Sequence, residues 1–305
     1  MEQNYMQQKP FSLSSTEGFT LLELLVVMGL GMLLLGMCLG AALSNRQAFL
    51  GDLYRTQLSQ NLRGAMDIVA AATREAGENL PPGFPAIEIV NGANGGSDEL
   101  VIRRNLIDEV LKVCVDIIAD DGSNRVYFST TGGVAGCSYS DQLHNFTTWR
   151  SERTLSGGTL RAYVYNQAAD TGEFFDVTNE IDTGSDYYLE SASTEWSSDY
   201  PVASSAVYYL EEWRLRRFEI GGIGFLQIVE NEDLENPINV ARDISDLAVV
   251  ARLSDNTDLN AFDDSNDWTS LRYVEVTLAG LSRVRNFTTT RSLTGRYFPR
   301  NVLSH

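Results

Sequence analysis

Gly18-Phe-Thr-Leu-Leu-Glu-Leu-Leu-Val-Val-Met-Gly-Leu-Gly-Met-Leu-Leu-Leu-Gly-Met-Cys-Leu-Gly-Ala-Ala-Leu-Ser44 is the stretch on which the reading of this chain turns. From Phe19 to Leu43 there are 25 residues, and Glu23 is the only charged one. That exceeds the roughly 20 apolar residues that a helix needs to cross a bilayer. It is too long for the apolar core of an ordinary secretory signal. A carboxylate five residues into such a run is the anomaly. In hydrocarbon it costs about 2.5–3.5 kcal/mol, so a charge there usually marks function and has a partner.

The segment before the run, Met1 to Gly18, is polar, with Lys9 as its only basic residue and Glu17 next to Gly18. It lacks the positive start of a standard signal peptide. Arg46 flanks the other end, so charge gives the span little orientation. Gly36 and Gly40 form a small-xxx-small pattern that allows close helix approach. Past the run, helical spacing continues through Phe49, Leu53, Leu58, Leu62, Met66, Val69 and Ala72, with polar residues between them. Gly77 and then Pro81-Pro82 are stop signals. Phe19 to Gly77 as one helix would be about 88 Å long.

Gly18, Phe19, Thr20, Leu21, Leu22, Glu23 and Leu24, leading into the apolar run, resemble the processing site and first helix of type IV pilins and type II secretion pseudopilins. The resemblance implies that a prepilin peptidase cuts between Gly18 and Phe19 and methylates the new terminus at Phe19. It implies that Glu23 is the assembly carboxylate, facing the amine of a neighbouring subunit. The physics agrees, because pairing an ammonium with a carboxylate offsets the cost of both in lipid. The plain alternative is an uncleaved anchor with Glu23 snorkelling to the interface. The segmentation that follows is a leader at 1–18, a transmembrane or filament-core half-helix at 19–44, an amphipathic half-helix at 45–77 and a β-rich periplasmic head at 78–305.

Beyond Pro85 the apolar period becomes two. Strands are predicted at 100–104, 113–118, 125–129, 159–165 and 172–177, with turn clusters between them. Residues 178–205 are Ser/Asp/Thr-rich and read as loop. Then come Ala206–Ile220, the hairpin turn Gly221-Gly-Ile-Gly, Phe225–Val229, the run Pro237–Leu253, and Leu271–Leu278. This order is similar to PilW-type minor pilins and, next, to J-type minor pseudopilins. The expected fold is therefore α+β: a lollipop with a long N-terminal helix packed on an antiparallel β-rich head.

Lys and Arg total 23 against 41 Asp and Glu, a formal charge of −18. That balance argues against nucleic-acid binding, which needs clustered cations to displace counterions. Of three cysteines, Cys38 lies in the apolar run, while Cys114 and Cys137 fall in the head. An exported head would permit a Cys114–Cys137 bridge; two buried thiols are the other reading.

Asp255, Asp258, Asp263, Asp264 and Asp267 crowd one segment, and hard oxygen ligands suit Ca²⁺. The segment lacks EF-hand order, so a solvated turn is the reading, with Ca²⁺ as the alternative. Some pseudopilins bind calcium in a late loop, and no other cofactor is implied. His144 and His305 are the only histidines, and neither a nucleophile elbow nor a P-loop occurs. No catalytic residue is assigned. Tyr187, Tyr188 and Trp196, inside the polar segment, are the aromatic candidates for touching a partner. The resemblance implies a structural subunit of the inner membrane and then of a pilus or pseudopilus. Its partners would be the prepilin peptidase, other minor pilins or pseudopilins, the major pilin, the inner-membrane assembly platform and membrane lipid.

Overall fold

A computed structural model describes residues 20–81, 84–155, 160–263, 265–284 and 287–303. The fold is α+β. The first element, α1, is a single helix, Leu21–Glu75. The chain divides into two compact units between Tyr54 and Arg55, within that helix.

In the first unit every residue from Thr20 to Phe49 is exposed. None of the described residues covers Leu21 to Leu43, and α1 is long and apolar enough to cross a membrane. The expected stripe behaves differently along its length. Phe49 and Leu53 are exposed, whereas Leu58, Leu62, Ala65, Met66, Val69, Ala72 and Thr73 are buried in the second unit. Those buried positions recur at three and four residues, the spacing of one helix face.

The second unit holds the sheets and a further helix. Its strands begin with β1 (Ile87–Val90), β2 (Glu99–Asn105), β3 (Leu111–Lys112) and β4 (Arg125–Ser129). The second helix, α2 (Tyr139–Leu155), precedes β5 (Leu160–Asn166), β6 (Thr171–Asp182), β7 (Tyr187–Ser191) and β8 (Ser205–Tyr208). Next are β9 (Leu210–Ile220), β10 (Ile223–Glu230), β11 (Ile238–Arg242) and β12 (Ile244–Leu253). The last are β13 (Asp258–Leu259), β14 (Leu271–Val284) and β15 (Phe287–Tyr297). Among the described residues these form three sheets, ordered β1-β2-β9-β10-β11, β13-β12-β14-β15 and β3-β8-β5-β6-β7-β4. Every described pairing is antiparallel.

Two cores sit among these layers. One gathers the buried face of α1 with the first two sheets; the other lies under the third sheet and α2. Helix α1 approaches β14 and β15 closely at two glycines. A Cβ on Gly280 would lie 2.7 Å from Leu58 Cδ1, and one on Gly295 would lie 2.8 Å from Met66 Cε. Each buried leucine on that face contributes roughly 1.5–3 kcal/mol. The helix stops where Gly77 takes φ +79, and the Gly77 N–H donates to the Arg103 carbonyl at 2.9 Å. The left-handed region favours glycine at such an end.

Some expectations need correction. The segment 178–205 is not wholly loop, because β6 runs to Asp182 and β7 fills Tyr187–Ser191. Alternate residues Tyr187, Leu189 and Ser191 point inward, and the polar composition comes from the residues between them and the flanking turns. The run 113–118 is not a strand; β3 ends at Lys112, and only Ile117 returns to pair, with Tyr200. Pro237–Leu253 breaks at Asp243, where φ is 63, and the two pieces join different sheets. Helix α2 had no counterpart in the sequence reading. Gly221 and Gly222 do turn a two-residue hairpin, with φ of 59 and 79 and Ile220 opposite Ile223.

Candidate functional site

The candidate site begins where the apolar run begins. Thr20 and Glu23 close a reciprocal capping box at the start of α1. The Thr20 N–H donates to Glu23 Oε2 at 3.0 Å, and the Glu23 N–H donates to Thr20 Oγ1 at 3.2 Å. The Thr20 hydroxyl adds a third bond, 3.0 Å to the same carboxylate oxygen. A carboxylate in the first turn also meets the positive end of the helix dipole. Glu23 therefore has a local partner, its own N-terminal turn. Thr20-Leu-Leu-Glu23 carries that signature in sequence, and the reading above missed it. Gly18 and Phe19, the expected processing pair, lie outside the described residues, as does His305.

Cys114 and Cys137 are joined by a disulfide with Cα atoms 5.6 Å apart. Cys38 is free and exposed on α1. The bridge pins the segment after β3 to the start of α2, beside the second core.

The acidic segment is spread over turns. Asp255 accepts from Thr257 N–H at 2.8 Å, Asp263 from Ser265 N–H at 3.0 Å and Asp267 from Thr269 N–H at 3.0 Å. Asp258 pairs with Arg252 at 2.5 Å. Asp264 lies outside the described residues. Among the described residues no three His, Cys, Asp or Glu side chains are placed to share a metal ion.

The aromatics also settle. Tyr187 is fully buried, with its ring stacked on Phe146 at 4.0 Å between centroids. Trp196 is buried and donates from Nε1 to the Ser123 carbonyl at 2.8 Å. Neither is available to a partner, which corrects the expectation. Tyr188 is half-buried, under the Arg125 guanidinium. His144 projects from α2, with Nε2 3.2 Å from Glu109 Oε1.

One feature had no sequence signal. Arg103 on β2 is nearly buried at the floor of an open cleft of about 320 Å³ walled by Tyr163, Tyr165 and Asp170. It donates from Nε to Glu212 at 2.7 Å, from Nη2 to Glu88 at 2.7 Å and from Nη1 to the Pro85 carbonyl at 2.9 Å. Burial works against the charged guanidinium, but Glu212 and Glu88 outweigh it and raise its pKa. Burial likewise pushes the Tyr163 hydroxyl up to about 12, against the pull of Arg103. Each guanidinium nitrogen makes one of these bonds, so the triad ties β1, β2 and β9 together and uses three of the five N–H donors of Arg103. Arg103 and Glu212 stand opposite each other in the β2–β9 register, a pairing across 109 residues that no local pattern reveals.

No known protein family, curated protein or solved structure matches the chain.

Proposed function

We propose that this chain is a minor type IV pilin of the PilW type, which helps to initiate or cap a pilus and so serves adhesion, motility or secretion. The observation that carries the reading is a lone carboxylate, Glu23, at the mouth of an uncovered apolar helix whose other half is the spine of an antiparallel β-rich body. After cleavage behind Gly18, the Phe19 amine of an adjacent subunit would offset the cost of Glu23 in lipid. The role is structural: the prepilin peptidase acts on the chain, and the chain itself catalyses nothing. Its neighbours would be other minor subunits, the major pilin and the assembly platform of the inner membrane. A J-type minor pseudopilin of type II secretion is the sister reading, built on the same residues.

The capping box favours a second reading, a membrane-anchored binding domain that never enters a filament. There Glu23 only starts a helix. The two separate at Glu23→Gln, because glutamine keeps the capping bond but not the charge. A subunit reading expects Glu23→Gln and Glu23→Ala both to abolish co-isolation with other minor subunits while membrane anchoring persists. Retention by the glutamine variant alone would make Glu23 a cap. N-terminal sequencing of membrane-derived protein should find methylated Phe19; recovery of Met1 would end the subunit reading.

A further inference from the structure

The outer side of the β9–β10 hairpin carries a cation that meets no anion among the described residues. Arg216, Phe218 and Ile220 alternate along β9, with Gln227, Phe225 and Ile223 directly opposite them on β10. All six side chains share one face of the sheet. The other face carries Leu215, Leu226 and Ile228 into the first core. On the outer face Phe218, Ile220 and Ile223 are 44%, 48% and 37% exposed. The guanidinium of half-buried Arg216 lies over the Phe218 ring, 5.3 Å from its centroid.

The acids around Arg216 are engaged elsewhere. Glu99 stands across from it in the β2–β9 register, yet its carboxylate turns to Arg214 at 3.2 Å. Glu212 pairs with Arg103 at 2.7 Å, Glu219 with Arg217 at 2.5 Å and Asp243 with Arg242 at 3.5 Å. Asp246, on β12 of the second sheet, accepts from the Ser97 hydroxyl at 2.6 Å. Arg216 has only the neutral Gln227 Oε1, 3.4 Å from its Nη2, and its shielded Nε meets no acceptor among the described residues. A guanidinium partly withdrawn from water beside apolar side chains gains most from a carboxylate, which matches its fork of donors.

The far end of the same strand presents the complement. β10 ends at Glu230, about 24 Å from Ile223 at strand rise. The turn that follows reads Asn231-Glu-Asp-Leu-Glu-Asn236. Asp233 shapes it, accepting from the Glu235 N–H at 3.0 Å and from the Asn236 side chain at 2.9 Å. Glu232 faces Arg161 at 3.7 Å. Leu234 is 62% exposed, and beside it Glu235 is exposed with no ion pair to a described residue.

We propose that the β10–β11 turn of one copy docks on the outer hairpin face of a second copy. Glu235 meets Arg216, and Leu234 packs among Phe218, Ile220 and Ile223. A second copy is the fitting occupant because one patch offers a lone cation in apolar surroundings and the other a lone acid beside an exposed leucine. Nucleic acid would need several clustered cations rather than one. The two patches differ, so the contact is head-to-tail and adds copies in a row. Patches this small give a weak contact, effective where copies are already held close together. Both patches lie in the second unit, and the contact stands or falls apart from any role of Glu23.

The test uses the full chain in detergent, with unlabelled and isotope-labelled copies mixed and a benzophenone amino acid in place of Ile223. Illumination should join position 223 to the segment 231–238, and mass spectrometry should find the two peptides carrying different labels. Arg216→Glu and Glu235→Arg should each lower the yield about tenfold, the size expected of a close interfacial charge pair. The two substitutions in one chain should restore it, which misfolding could not do. An undiminished yield with Arg216→Glu overturns the proposal, as does continued loss in the double variant. Adducts only within one copy, to another segment or to detergent overturn it too.

Discussion

Arg103 shows what a single residue does in this body. Its guanidinium ties Glu88, Glu212 and the Pro85 carbonyl together, with Glu212 buried and Glu88 facing the open cleft. Removing one member of a buried charge group strands the others, at a cost of about 3–5 kcal/mol. Arg103→Met should therefore lower the urea midpoint by that measure. The buried tyrosines make a pH prediction with a definite sign. Burial raises Tyr208 to about 12 and, against the pull of Arg103, raises Tyr163 to about 12 as well, from an ordinary value of 10.0. Stability is then fully present below pH 10 and is lost as the pH rises towards 12, because the unfolded hydroxyls ionise first. Tyr208→Phe should flatten the alkaline arm of a melting-temperature profile. Of these groups, sequence alone exposed little, since the partners of Arg103 lie on strands far apart in the chain. Glu23 was conspicuous because nothing charged surrounds it, yet its bond to Thr20 was overlooked.

At the scale of elements, local chemistry was a good guide wherever it was unshared. Gly77 ends α1 because its φ of +79 suits glycine, and a Cβ there would lie 2.8 Å from Trp268 Cη2. Gly77→Ala should cost about 1 kcal/mol for the backbone alone, with more for the crowding of Trp268. Thermal melting would read it as a fall of several degrees, and an unchanged midpoint would show that the helix end is soft. The Gly221-Gly222 hairpin was equally legible. Helix α2 was not, because its buried face is only Gln142, Phe146 and Trp149 on an otherwise polar sequence. Its one upstream clue is Ser138, whose hydroxyl accepts from the Asp141 N–H at 3.3 Å. The far end of β6, past Val177, and the whole of β7 were hidden in a similar way, their inward residues outnumbered by Ser, Thr and Asp.

For the whole molecule, fold class followed from period: helical spacing up to Gly77, then alternation. The arrangement of sheets did not, since β2 pairs with β9 and β5 with β8 across long intervals, and Asp243 sends one apolar run into two sheets. The disulfide acts at this scale too. It closes a 23-residue interval beside the second core, worth about 3 kcal/mol in a chain-entropy account. Reduction should lower the urea midpoint accordingly, and the Cys114→Ser/Cys137→Ser pair should reproduce the loss. Finally, α1 is continuous from Leu21 to Glu75, and its last turns are the keel of the body. Within the second unit, Leu58, Met66 and Val69 sit along one face of a single helix, so drawing that helix lengthwise out of its body would strip all three contacts together, in shear, rather than peel them one by one.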